Sequence, residues 1–173
     1  MGDRVHKPGR ELADEKDILV GFLAYDRGVV ERKLRGLSEA DARASVVPSG
    51  WSMLELAWHL SSMERRWLQW GFLGDELEDP YRDSDDTESW RVDASATVES
   101  VLAALQVAGD TTAGIVNAHD LNERSSVGGR FAAGGDSPVP TLRWILVYVL
   151  QEYSRHLGHL DIARELTDGE TGE

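Results

Sequence analysis

Apolar residues recur every three to four positions in four segments of the chain, which is the spacing of one face of an α-helix. The pattern predicts four helices, over residues 11–37, 53–73, 96–118 and 141–166. Ser52 followed by Glu55 is a capping-box pattern ahead of the second helix. Thr141 is a suitable N-cap for the fourth helix, and Gly74 and Gly169 lie just beyond the ends of the second and fourth helices.

The segments between these helices are long and show no periodicity. Residues 75–93 are acidic and read as an exposed connection, and residues 120–140 are rich in glycine, serine and alanine. The sequence therefore predicts an all-α protein, an antiparallel four-helix bundle whose long inter-helix connections allow a crossover. We expect residues 1–10 to be a disordered leader, residues 11–167 to form a single domain and residues 168–173 to be a flexible tail.

Composition narrows the class of protein. The 173 residues carry a net charge of −13, which argues against nucleic acid as a partner because its phosphates would be repelled. No apolar run reaches the roughly 18 residues that span a bilayer, and the first residues do not resemble a signal peptide. We therefore expect a cytoplasmic protein with no membrane partner. The chain has no cysteine, which excludes disulfides, thiolate zinc sites and cysteine nucleophiles.

The fourth helix carries polar residues on its apolar face. Steps of three and four residues align seven positions: Leu142, Ile145, Val149, Glu152, His156, His159 and Ala163. A buried carboxylate costs several kcal/mol of folding free energy unless it is paired, so the three polar side chains on this face need a common partner. A divalent metal is such a partner, because it stabilises an ionised carboxylate and binds neutral imidazole nitrogens.

His59 lies in the apolar stripe of the second helix and is the natural ligand from a facing helix. The set is then His59, His156 and one or both of Glu152 and His159, and three protein ligands would leave a position open for water or substrate. These nitrogen and oxygen ligands suit zinc, which is our first choice, and also nickel, iron, cobalt or manganese. The alternative is that they are ordinary core or surface residues, with Glu152 paired to Arg155.

Two stretches of the sequence resemble a known group of proteins. LAWHLSSMERRWLQWGFLGDE in the second helix and LQEYSRHLGHLDIARE in the fourth are similar to motifs of the DinB-like superfamily of four-helix metalloproteins, especially its mycothiol-dependent S-transferases. PSGWSMLELAWHL and PVPTLRWIL extend the resemblance over most of residues 11–167. In that superfamily, one histidine of the second helix and two ligands four residues apart on the last helix hold the metal. His59, Glu152 and His156 match these positions, although many members have histidine where this chain has Glu152.

The resemblance implies a metal-dependent S-transferase that conjugates mycothiol, or a similar low-molecular-weight thiol, to an electrophilic small molecule, in detoxification or in biosynthesis. The metal lowers the pKa of the thiol, and the thiolate is the nucleophile. Either Glu152 or His159 completes the metal site, and the other orients a ligand or acts as a base. Trp58 is expected to line the pocket with parts of the two long connections, and Asp161 and Arg164 are further candidates for thiol binding.

Other functions fit the same scaffold. A mycothiol-dependent isomerase is one, since a related branch that resembles maleylpyruvate isomerase has glutamate at the position of Glu152. A metal-assisted hydrolase and a non-catalytic bundle that binds a metal or ligand in a stress response are two more. The resemblance also suggests a homodimer. Trp144 is a second tryptophan that could line a pocket, although packing is the commoner role of tryptophan.

Overall fold

The structure is a computed structural model of the chain, and it describes residues 6–84, 90–131 and 138–171. Within these ranges the chain forms helices and no β-strand, so the predicted all-α class is confirmed. The elements are α1 (Glu15–Leu34), α2 (Glu39–Arg43), α3 (Met53–Arg65), which continues as a π-helix over Arg66–Leu73, α4 (Val98–Ala118) and α5 (Leu142–Asp168). None of these helices is both long and apolar enough to cross a membrane.

Each of the four long α-helices begins at a residue whose side chain accepts a hydrogen bond from a free backbone N–H group. The Ser52 hydroxyl accepts from the N–H of Glu55, and the Glu55 carboxylate accepts from the N–H of Ser52, so the predicted capping box is present. Thr141 caps α5, as the sequence predicts. Gly74 and Gly169 end their helices with positive φ angles of 74° and 77°, which glycine adopts without strain.

The four long helices form a bundle in which each helix has two main neighbours. α1 packs against α4 and α5, and α3 packs against the same two helices. α4 and α5 follow each other in the chain but lie diagonally opposite in the bundle, as do α1 and α3. The connections from α1 to α3 and from α4 to α5 therefore cross the bundle diagonally, which their length allows.

Contacts near the helix ends show that α1 and α5 run parallel. Arg143 at the start of α5 pairs with Glu15 at the start of α1. Arg164 near the end of α5 donates a hydrogen bond to the carbonyl of Lys33 near the end of α1. The crossing connections thus add a parallel pair to the predicted antiparallel arrangement.

α3 and α5 run antiparallel and face each other. The ring of His59 lies 5.2 Å from the ring of His156. Trp67 lies two turns after His59 on α3, and Tyr148 lies two turns before His156 on α5. The rings of Trp67 and Tyr148 are 4.6 Å apart. This pairing places the middle of α3 opposite the middle of α5, where the predicted metal ligands lie.

The core of the bundle contains an ionic network among apolar side chains. Glu64 on α3 is fully buried, and its carboxylate accepts two hydrogen bonds from Arg27 (3.0 and 2.6 Å) and one from the Tyr153 hydroxyl (2.7 Å). Arg27 lies on α1 and Tyr153 on α5, so the network joins three helices. Gly109 on α4 gives the guanidinium room, because a Cβ atom there would lie 2.9 Å from it.

Three details of the helices differ from the sequence predictions. α1 begins at Glu15 rather than at residue 11, because the side chain of Asp14 caps the helix. α2 lies between the first and second predicted helices, where the sequence predicts no helix. The predicted helix over residues 53–73 keeps α-helical geometry only as far as Arg65 and is π-helical beyond it. The π-helical segment has only eight residues, and over that length the spacing of apolar positions does not distinguish a π-helix from an α-helix.

Candidate metal centre

Three of the four predicted metal ligands meet between α3 and α5. His59, Glu152 and His156 each offer one ligand atom, and these atoms lie within 4.8 Å of one another. Glu152 and His156 are four residues apart on α5, a spacing that brings their side chains together on one face. The rings of His59 and His156 meet edge to face, with an angle of 74° between their planes. The structure therefore gathers two imidazoles and one carboxylate at a single point.

His156 is the most buried residue of this cluster, with 5% of its surface exposed. Burial lowers its pKa to about 3, and the charges of His59, His159 and Arg155 contribute to the same shift. The imidazole is therefore neutral at neutral pH, which is the form that binds metal ions. Its Nδ1 atom is buried with no hydrogen-bond partner among the described residues, and its Nε2 atom lies 3.5 Å from a carboxylate oxygen of Glu152.

Asp83 fixes the orientation of His59. Its Oδ2 atom lies 2.7 Å from Nδ1 of His59, and its Oδ1 atom accepts a hydrogen bond of 2.6 Å from Arg66. Burial acts to raise the pKa of Asp83, but its hydrogen bonds with His59 and Arg66 and the positive charge of Arg66 outweigh burial and hold the pKa at about 2. The ionised carboxylate accepts the Nδ1–H of His59, which leaves the Nε2 lone pair of His59 free for a metal.

Two tryptophans enclose one side of the cluster. Trp90 stacks on the ring of His59 with the ring centroids 4.4 Å apart, and it meets the edge of His156 at 5.1 Å. Trp51 lies 6.2 Å from Trp90 and 6.0 Å from His159. These indoles shield the imidazoles from solvent and lower the local dielectric constant.

The acidic connection over residues 75–93 is closely involved in the site. The prediction that this connection is exposed is wrong for Asp83, which is only 2% exposed, and for Trp90, which packs against the apolar core. Arg66, at the start of the π-helical segment, donates hydrogen bonds both to Asp83 and to the carbonyl of Pro80. The π-helical segment therefore holds Pro80 and Asp83, in the described part of the connection, beside the site.

His159 lies beside the cluster. Its ring centroid is 5.5 Å from that of His156, and His159 is not one of the three residues whose ligand atoms converge. Its Nδ1 atom is buried and has no hydrogen-bond partner among the described residues. The sequence leaves open whether Glu152 or His159 is the third ligand, and the geometry favours Glu152.

The other three predicted site residues have structural partners. Trp58 donates its indole N–H to the carbonyl of Arg82 (3.4 Å), and the guanidinium of Arg82 lies 4.0 Å from the Trp58 ring centroid. Asp161 pairs with Lys33 at 2.7 Å. Arg164 is 3% exposed and donates to backbone carbonyls at the end of α1. These contacts anchor a connection and join α1 to α5, and the role of the three residues in thiol binding stays a prediction.

Tyr148 is a site residue that the sequence analysis missed. It lies one turn before Glu152 on α5, and burial raises the pKa of its hydroxyl, with the charge of Glu152 acting in the same direction. The phenol therefore stays protonated beside the carboxylate. The spacing of four residues that links Glu152 to His156 also links Tyr148 to Glu152, and it could have revealed this residue. Asp83 and Trp90 lie in an aperiodic connection, where no such signal exists.

The donor set fits a divalent metal. Two neutral imidazoles and one carboxylate are the ligands that zinc and similar ions take in catalytic sites, where further positions stay open. The unpartnered Nδ1 atom of His156 supports this assignment, because a buried nitrogen atom without a hydrogen-bond partner destabilises a dry core. His59 is already held by a carboxylate in the manner typical of metal-binding histidines.

Two cavities of ligand size border the helices of the bundle. One of about 800 Å³ lies between α1 and α4, and its lining includes Arg27 and Arg35 but none of the predicted site residues. The other, of about 430 Å³, lies at the start of α5, where Trp67 and Trp144 contribute to its wall. Trp144 thus lines a cavity, although the sequence analysis favours packing for it.

The bundle topology, with the His–Glu–His cluster between facing helices, defines a DinB-like four-helix protein. Residues 18–169 match the family model described as mycothiol S-transferase. This match spans most of the chain, so the chain belongs to the mycothiol S-transferase family.

A solved structure has the same fold. It is described as the crystal structure of the conserved protein of locus from Enterococcus faecalis, and it superposes with a TM-score of 0.60 over 92% of this chain and 100% of that one. The two sequences are 18% identical, so this likeness shows the fold alone. No curated protein matches the sequence significantly.

Proposed function

We propose that the chain is a metal-dependent S-transferase that joins mycothiol, or a similar low-molecular-weight thiol, to an electrophilic small molecule. The observation that carries this proposal is the convergence of His59, Glu152 and His156 within 4.8 Å, in a chain that belongs to the mycothiol S-transferase family. The absence of cysteine agrees with it, because the reacting sulfur must then come from a cosubstrate. We expect a soluble cytoplasmic enzyme, and the homodimer suggested by the resemblance stays a prediction.

His59, Glu152 and His156 would hold the divalent metal, with zinc as the first choice. A bound divalent ion supplies one chemistry here, which is to lower the pKa of a thiol so that the thiolate is available at neutral pH. His156 is kept neutral by its burial, so no proton competes for its nitrogen. Asp83 holds His59 in the tautomer whose Nε2 atom can coordinate.

The remaining residues of the site prepare it for a charged nucleophile. Trp51 and Trp90 exclude water on the histidine side, which strengthens electrostatic interactions inside the site. The Tyr148 phenol lies one turn from Glu152 on α5 and stays protonated beside the carboxylate. We assign His159 the role of proton acceptor, because its buried Nδ1 atom has no partner among the described residues.

The transfer itself is a nucleophilic displacement. The thiol gives its proton to His159, and the sulfur electron pair forms a bond to the electrophilic carbon. The leaving group departs with the electron pair of the bond that breaks. With an electrophile that has no leaving group, such as an epoxide, the electron pair stays on the oxygen, which takes up the proton.

The experiment is a thiol-dependent assay of the zinc-loaded chain with mycothiol and monobromobimane, in which the thioether product is followed by fluorescence. We expect a rate above the uncatalysed reaction, and His156→Ala should lower the catalysed rate by at least about tenfold. His119→Ala is the matched control, since His119 pairs with Glu123 at the end of α4 and should leave the rate unchanged. Equal turnover of the electrophile without any thiol would contradict the transferase and support a hydrolase.

A further inference from the structure

The cavity at the start of α5 is not part of the metal centre and has an unusual wall. It measures about 430 Å³, a volume within the range of small-molecule sites. The wall combines aromatic rings, proline and valine side chains and one guanidinium, contributed by Trp67, Phe131, Trp144, residues 138–140 and Arg124. We name this cavity the aromatic cavity.

The aromatic rings of this cavity form a connected surface. The rings of Trp67 and Trp144 lie 5.7 Å apart, and Tyr148 contacts both of them, at 4.6 Å from Trp67 and 5.4 Å from Trp144. Trp144 and Tyr148 stack almost in parallel, with 11° between their planes. Even so, 51% of the Trp144 surface is exposed. A large indole that is held in place but left open to solvent is a suitable face for a planar ligand.

Cationic groups concentrate around this apolar surface. Arg124 lines the cavity, and the guanidinium of Arg130 lies 4.2 Å from the ring centroid of Trp67. The chain as a whole carries −13, so two guanidiniums beside one apolar cavity are a local exception that would attract an anion.

The aromatic cavity is joined to the metal centre by one face of α5. Trp144, Tyr148, Glu152 and His156 follow each other at intervals of four residues, so each side chain lies one turn beyond the last. Eight residues of helix separate Trp144 from Glu152, a distance of about 12 Å along the axis. A ligand whose body lies in the cavity can therefore present a reactive group near the cluster.

We propose that the aromatic cavity binds the planar aromatic or conjugated body of an electrophilic substrate that carries a carboxylate or similar anionic group. The rings hold the body, and Arg124 with Arg130 holds the anion. This assignment of a substrate class rests on the transferase proposed above. The sugar part of a thiol cosubstrate fits the cavity less well, because most of the exposed wall is apolar and offers little to bind hydroxyl groups.

The test is direct binding of 2-naphthoate to the full chain, measured by calorimetry and by quenching of tryptophan fluorescence, with no thiol present. We expect 2-naphthoate to bind at least about fivefold more tightly than neutral 2-naphthalenemethanol. Trp144→Ala should lower the affinity for both ligands by at least about fivefold. Arg124→Gln should weaken only 2-naphthoate, and Arg124→Lys should retain most of its binding, which separates loss of charge from loss of fold.

Matched controls locate the ligand. Phe22→Ala removes an exposed aromatic side chain of α1, and Arg35→Gln removes one positive charge beside the larger cavity. Neither change should affect binding of 2-naphthoate. Weaker binding in Arg35→Gln would place the ligand in the larger cavity and overturn the proposal, as would binding that is unchanged in Trp144→Ala.

The same measurement separates this proposal from the transferase proposal. His59→Ala should abolish metal binding but leave the affinity for 2-naphthoate within about twofold, because His59 does not line the aromatic cavity. If Trp144→Ala weakens mycothiol binding and leaves 2-naphthoate binding intact, the cavity serves the thiol and the proposed substrate class is wrong.

Discussion

The Nδ1 atom of His59 lies 2.7 Å from the Oδ2 atom of Asp83, a carboxylate that is 2% exposed and is also held by Arg66. The contact joins α3 to the connection that follows its π-helical extension, so the connection helps to orient a residue of the bundle core. A histidine whose second nitrogen is bound by a carboxylate has a fixed ring and a fixed tautomer, and it is a better metal ligand for both reasons.

Asp83→Asn should therefore weaken zinc binding by about 10–100-fold. Asparagine keeps the shape of the side chain but removes the charge that favours the required tautomer of His59. The measurement is competition with a zinc chelator of known affinity at a temperature where the variant is folded. Asp75→Asn, an exposed change earlier in the same connection, is the control and should leave zinc affinity unchanged. Equal affinities for the two variants would show that Asp83 does not support the metal centre.

The buried network around Glu64 should dominate the stability of the bundle. Arg27→Met leaves the Glu64 carboxylate buried with only the Tyr153 hydroxyl as a partner, and it should lower the free energy of unfolding by about 3–5 kcal/mol. The surface pair of Arg35 and Glu31 offers the comparison, since Arg35→Gln should cost less than about 1 kcal/mol. Urea denaturation of the three proteins gives both values. A loss below about 1 kcal/mol in Arg27→Met would contradict the account of this network.

The buried carboxyl group of Asp26 should make stability depend on pH. Burial raises its pKa from 3.8 to about 6, although the charges of Arg27 and Lys7 act in the opposite direction. Between these values the folded chain binds more protons at Asp26 than the unfolded chain does, so this group lowers stability as pH rises from about 4 to about 6. Above about pH 6 Asp26 lowers the stability by its full amount, and below about pH 4 it does not lower the stability.

Asp26→Asn should consequently raise the free energy of unfolding by about 2 kcal/mol at pH 7 and have little effect at pH 4. Urea denaturation at the two pH values measures the difference. Glu165→Gln, which changes an exposed carboxyl group on α5, should show no comparable pH-dependent gain. If Asp26→Asn raises the free energy of unfolding equally at both pH values, protonation of Asp26 is not the cause of the increase.

The helices and the central residues of the site could be predicted because each depends on local spacing. Ser52 and Thr141 are N-caps that a few neighbouring residues define, and both are present in the structure. Glu152 and His156 stand on the apolar face of one helix, and His59 stands on that of another. If the chain forms a four-helix bundle and these two helices face each other, the three side chains come together.

The remaining features depend on tertiary contacts that spacing does not encode. Asp83 and Trp90 reach the site from an acidic connection, because Arg66 and the core hold that connection in place. The parallel pairing of α1 and α5 depends on the route of the connections across the bundle, and the sequence shows only that they are long.

The most direct test of the central claim is the zinc content of the purified chain after zinc loading and desalting, measured by elemental analysis. We predict about one zinc per chain for the wild type and for His159→Ala, and less than about 0.1 for His59→Ala, Glu152→Gln and His156→Ala, each checked for helical content by circular dichroism. A wild-type chain that keeps less than about 0.1 zinc would contradict the metal centre. Loss of zinc in His159→Ala with retention in Glu152→Gln would show that the ligand set is wrong.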